Sequence, residues 1–91
     1  MRFIDSHCHL DFSEFDETRT ELIKACKQVG IEHFIVPGVS LAQSTALLSF
    51  AKSEPSISVA LGLHPYFLSD HQAHHLAELE QLAKANLGQF I

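Results

Sequence analysis

Short apolar runs alternate with longer stretches of helical period along this chain, and that alternation leaves few folds open. Arg2-Phe3-Ile4-Asp5-Ser6-His7 reads as a first strand. From Asp16 to Val29, the residues Leu22, Ala25, Cys26 and Val29 recur at offsets of three and four, marking one face of an amphipathic helix that Gly30 stops. Ile31-Glu32-His33-Phe34-Ile35-Val36 is a second strand, closed by Pro37-Gly38. Ser40 and Gln43 have capping-box spacing and open a helix from Leu41 to Ser53, ended by Pro55, with Leu47, Leu48, Phe50 and Ala51 as burial candidates. Ile57-Ser58-Val59-Ala60-Leu61-Gly62 is a third strand. Ser69 or Asp70 is expected to cap a third helix with the stripe Leu76, Leu79, Leu82 and Ala83, stopped at Gly88. Gln89-Phe90-Ile91 then reads as the start of a fourth strand, and Gly38 and Gly62 are expected to serve tight strand ends. Strands alternating with helices of this length predict an α/β fold with a parallel sheet and right-handed crossovers.

With 91 residues the chain has room for one small core and no second domain. Hydrophobic residues make up 46% and charged residues 19%, a balance that excludes disorder. A formal charge of −5 excludes broad electrostatic attraction to nucleic-acid phosphates, so any phosphate must be held locally, most directly by a divalent ion. Cys8 and Cys26 lack the spacing of a disulfide framework or zinc knuckle and fit a reducing compartment. No apolar run approaches the ~20 residues of a membrane span, and the N-terminus lacks a signal-peptide core. The expectation is a cytoplasmic protein that makes no membrane contact.

Chemistry concentrates in Asp5-Ser6-His7-Cys8-His9-Leu10-Asp11. In a strand, residues two apart share a face, so His7 and His9 are expected to point the same way and meet one ion while Cys8 points oppositely. Neutral imidazole is the commonest metal ligand. Asp5 would lie deeper on the same side, where it could orient an imidazole, and Asp11 could act as a weak ligand or a loop hydrogen-bonder. An isolated His-x-His also arises without function. Its place directly after an apolar strand favours a site, because parallel α/β folds build sites at the carboxyl ends of strands.

Phe3-Ile4-Asp5-Ser6-His7-Cys8-His9-Leu10-Asp11 resembles the opening signature of the TatD family of metal-dependent deoxyribonucleases, within the amidohydrolase-type barrels. Gly62-Leu63-His64-Pro65-Tyr66 resembles that family's second motif, and the resemblance covers essentially the whole chain. It implies a TIM barrel of about 250 residues, with residues 1–91 as a single partial domain: a (βα)3 segment plus the start of a fourth strand, the N-terminal third. It further implies that His7 and His9 bind one or two divalent ions (Mg, Mn or Zn), and that His64 reaches the substrate phosphate or moves a proton. The substrate implied is DNA, attacked as by an exonuclease near single-stranded ends. The family's remaining ligands, a Glu after the fourth strand, two His and an Asp near the last strand, have no counterpart here. The chain alone is therefore expected to show little or no nuclease activity.

Two other classes stay open: a related barrel hydrolase acting on C–N or ester bonds, and an inactive truncated fragment. On the residues alone, His64 reads as a loop histidine fixed by Pro65. His33 lies far from the carboxyl strand ends, His71, His74 and His75 read as exposed helix histidines, and both cysteines read as buried, unreactive thiols. A sheet cut after three units keeps open edges, so self-association through them is expected.

Overall fold

Hydrophobic alternation decides the packing of the central strand. In the computed structural model, which describes residues 1–91, β2 (Ile31–Pro37) lies between β1 (Phe3–Asp5) and β3 (Ile57–Ala60), and both pairings are parallel. Phe34 pairs with Ile57 and Val36 with Val59, so four apolar side chains share one face, and all four are buried. Helix α1 (Arg19–Gln28) packs on β2 and α2 (Leu41–Ser53) on β3, closing that face with Ile23, Leu47 and Leu48, while Leu10 seals the core from the loop after β1. Each such side chain contributes roughly 1.5–3 kcal/mol on leaving water. On the opposite face His33, Ile35, Ser58 and Ala60 keep partial exposure, and His33 Nε2 and Ser58 Oγ hydrogen-bond at 2.7 Å.

Local chemistry explains which elements match the sequence pattern. Helix α2 starts and stops as predicted because its cap is local: Ser40 Oγ accepts the Gln43 amide at 3.3 Å and Gln43 Oε1 accepts the Ser40 amide at 3.4 Å. Buried Ser44, absent from the expected stripe, is satisfied by donating to the Ser40 carbonyl at 2.8 Å. Gly30 ends α1 with φ 103°, where a Cβ would also strike the Met1 carbonyl. At Gly38 a Cβ would sit 2.8 Å from the Ala60 carbonyl, so the expected tight strand end is real there, whereas Gly62 leaves ordinary van der Waals room.

Four expectations change. First, β1 ends at Asp5 instead of His7, because Asp5 Oδ1 accepts the His7 amide at 3.1 Å and turns the backbone out of the ladder. Second, α1 begins at Arg19, after a 3-10 turn at Ser13–Phe15, and its inward face is centred on Ile23; Leu22 and Cys26 flank it, but Ala25 and Val29 are exposed. Third, Pro65 at the first position of a 3-10 turn, Pro65–Asp70, absorbs Ser69 and Asp70. Helix α3 therefore begins later, at Ala73–Ala85, with the Gln72 amide donating to His75 Nδ1 at 3.2 Å. It packs chiefly on α2 and buries no residue fully; Leu82 reaches the core, while Leu76 is exposed. Fourth, Gln89–Ile91 forms no strand, although the Ile91 amide donates to the Val59 carbonyl at 2.8 Å, one rung at the free edge of β3. No helix is long and apolar enough to cross a membrane.

Glu54, at the α2 terminus, ties three elements together. Its Oε1 accepts from Ser56 Oγ at 2.6 Å, the Ser56 amide at 3.2 Å and Lys27 Nζ at 3.1 Å. The Ser56 hydroxyl, helped by the Lys27 ammonium, holds the Glu54 carboxyl below its usual range. The folded pKa is thus lower than the unfolded one, so this stabilisation is complete above the ordinary glutamate range and is lost as pH falls through the folded pKa. Glu54→Gln is expected to cost about 0.5–1.5 kcal/mol at neutral pH, since the pair is partly exposed. Urea midpoints across pH check it: the gap should close on acidification, and a gap independent of pH contradicts the assignment.

Candidate metal centre

Parallel pairing brings the carboxyl ends of β1 and β3 to one rim of the sheet, flanking β2. The segment after β1 leaves the ladder at the Asp5 turn and rejoins it where the Cys8 amide donates to the Ile35 carbonyl at 3.1 Å. His7 and His9 sit on either side of that anchor, in irregular chain instead of on a strand. The alternation expected of a strand is therefore not what joins them, yet their rings still meet edge to face with centres 5.1 Å apart. His7 is exposed; His9 is half-buried and stacked on Phe12 at 4.8 Å and 23°, which fixes its plane.

Two imidazoles bound tetrahedrally through nitrogens roughly 2.0–2.1 Å from one ion would have centres roughly 5 Å apart. The observed spacing fits. His9 Nδ1 is buried without a hydrogen-bond partner, and so is Asp11 Oδ1, leaving two polar atoms at the loop that the protein itself does not satisfy. Asp5 does not orient an imidazole, its Oδ1 being taken up by the His7 amide. Asp11 is a loop hydrogen-bonder: its Oδ2 accepts from Gln43 Nε2 at 2.7 Å. No three His, Cys, Asp or Glu side chains converge in a group able to hold an ion.

A residue that the sequence pattern did not mark holds this loop in place. Arg19 donates through Nε to the Leu10 carbonyl, and through Nη2 to the Phe12 carbonyl at 2.7 Å and to Asp16 Oδ1 at 2.9 Å. Its guanidinium lies 5.6 Å from the centre of the Phe50 ring. Gln43 also holds the loop, through Asp11, while its Oε1 accepts the Val39 amide at 3.1 Å. The only hint of the clamp in the sequence is a lone Arg inside the acidic stretch from Glu14 to Glu21.

His64 follows β3 on the same rim, its amide donating to the Val39 carbonyl at 2.8 Å. Its Nδ1 accepts the Tyr66 amide at 3.0 Å, so the neutral ring carries its proton on Nε2 and presents a donor. His71 Nε2 donates to the His64 carbonyl at 2.8 Å and pins the far end of the 3-10 turn to its start. Phe67 bridges the two motifs, with ring centres 6.1 Å from His64 and 6.5 Å from Phe12. His71 thus belongs to the rim and is no exposed helix histidine. His74 and His75 contact each other at 4.7 Å, and His75 caps α3; no convergent ligand set forms there. Cys8 and Cys26 are free and half-buried, and burial, with the charge of Asp5 adding to it, pushes the Cys8 thiol up, away from nucleophilic chemistry.

Comparison with known proteins adds lineage to this geometry. The family described as TatD related DNase matches residues 4–90. A metal-dependent hydrolase of Escherichia coli K12, YjjV, is 35% identical over 80 residues, covering 88% of this chain and 31% of its own length. A 3'-5' ssDNA/RNA exonuclease TatD of Erwinia tasmaniensis is 26% identical over 82 residues, covering 89% of this chain and 32% of that protein. The crystal structure of the E. coli YjjV TatD homologue superposes with a TM-score of 0.91 at 31% identity, covering 99% of this chain and 35% of that one. The chain spans about a third of the length of the relatives it matches.

Proposed function

The chain belongs to the TatD related DNase family, and from that premise we propose that it forms the N-terminal third of a TIM-barrel hydrolase that cleaves phosphodiester bonds near single-stranded DNA ends. His7 and His9 are the first two ligands of its divalent metal, and His64 is the catalytic residue that engages the scissile phosphate. The observation that carries this reading is the meeting of the two imidazoles at 5.1 Å on the rim where His64 also stands. A divalent ion supplies Lewis acidity and lowers the pKa of water, chemistry that phosphodiester hydrolysis uses. Within the chain, Arg19 and Gln43 hold the loop that carries the imidazoles. His64 offers its Nε2–H to a non-bridging phosphate oxygen.

Catalytic sites of this kind take at least three protein ligands, so further ligands are assigned to regions present in the longer relatives. The ion is magnesium, manganese or zinc, and the imidazole ligands favour the transition metals. The free cysteines support a reducing, cytoplasmic setting. Phe3 and Ile4, exposed at the free edge of β1, support self-association of the chain through that edge. Sedimentation should show mass rising with concentration, and a monomer at every concentration contradicts it.

Calorimetric titration with zinc or manganese tests the site. Weak binding is expected, and His7→Ala and His9→Ala should each weaken it by more than the roughly 10- to 100-fold typical of losing an outer partner of a ligand. Unchanged affinity in either variant removes that histidine from the site. Labelled single-stranded DNA with manganese or magnesium should be degraded by the Erwinia enzyme and scarcely by this chain; comparable turnover would mean that two histidines suffice.

A further inference from the structure

We propose that Tyr66 stacks on a base of single-stranded nucleic acid, so that Tyr66 and His64 together grip one nucleotide, ring against base and Nε2–H against phosphate. The inference rests on the phosphodiester reading above. Tyr66 is 83% exposed, although it is the second residue of the 3-10 turn Pro65–Asp70 on the rim. Pro65 fixes the backbone before it, its amide is bound by His64 Nδ1 at 3.0 Å, and His71 ties the end of the same turn back to the His64 carbonyl at 2.8 Å. The ring meets half-buried Phe67 edge to face at 5.2 Å and 78°, and Phe67 in turn meets Phe12 beside His9.

A single exposed aromatic residue is ordinary on a protein surface. An exposed ring held by its own backbone, an aromatic neighbour and the histidine beside it is different, because little freedom remains to be lost on binding. The identity of the partner follows from charge and spacing. At a net charge of −5 the chain cannot hold a polyanion by broad attraction, so affinity for a single strand must come from local contacts, and base stacking is the local contact available to every nucleotide. The anion donor and the flat ring are carried two residues apart on one turn, and the His64 ring is tied to the Tyr66 backbone by a hydrogen bond, so a phosphate and its neighbouring base would meet side chains of the same turn. Leu68, on the same turn, is 71% exposed.

Tyr66 is the only tyrosine, so tyrosine-selective ring labelling reports on it alone in an NMR spectrum. The chain is titrated, with magnesium present, with short oligothymidylate and with an abasic phosphodiester of equal length. Upfield movement of the Tyr66 ring signals is expected with the bases alone. Tyr66→Ala should weaken oligothymidylate binding roughly 5- to 150-fold, and Tyr66→Phe should restore it. Binding without ring movement, equal movement with the abasic strand, or wild-type affinity in Tyr66→Ala overturns the stacking role and leaves the phosphodiester reading standing. Failure of both strands to bind overturns the two together.

Discussion

Strand β2 pairs in parallel with both of its neighbours, and nearly everything else in this chain depends on that arrangement. Parallel neighbours need crossovers, which α1 and α2 supply, and the crossovers put apolar side chains over Phe34, Val36, Ile57 and Val59. The same direction of pairing delivers two strand ends with chemical side chains to a single rim. One follows β1 and carries His7 and His9; the other follows β3 and carries His64. Antiparallel pairing of either neighbour would have sent its motif to the opposite end of the sheet.

Residues on that rim are positioned by backbone chemistry more than by regular structure. The Asp5 carboxylate turns the chain at His7, the Cys8 amide returns it to β2, and across that anchor the imidazoles of His7 and His9 come together. Arg19, through two loop carbonyls, and Gln43, through Asp11, hold the same loop. The second motif repeats the device: His64 binds the amide of Tyr66, His71 binds the carbonyl of His64, and Phe67 joins the two motifs through Phe12. Such packing fixes the side chains of the rim, while His9 Nδ1, Asp11 Oδ1 and His71 Nδ1 are buried without a hydrogen-bond partner.

Elements whose signals are local were legible in the sequence. Helix α2 has its cap, its apolar face and its terminating proline within its own neighbourhood, and it folds over the expected residues. The parallel order of strands and the positions of His7, His9 and His64 at strand ends were likewise readable from the alternation of apolar runs. Features that depend on distant partners were not. The Arg19 clamp joins residues that share no periodicity, and the early end of β1 hinges on one carboxylate that spacing alone assigned to an imidazole. Helix α3 shows the converse, because its leucine stripe is clear in the sequence yet packs chiefly on α2, so Leu76 stays exposed. Periodicity shows which face of a helix is apolar, and only the tertiary arrangement decides whether anything covers it.

His7 and His9 should act as a pair on one ion. Imidazole nitrogen resonances followed through a zinc titration test it most directly, because all seven histidines are observed in one experiment. The pair should move first and along a single saturation curve, with His33, His71, His74 and His75 unaffected until zinc is in large excess. Separate curves for His7 and His9, or first movement among the histidines of α3, would mean that the two imidazoles do not share an ion.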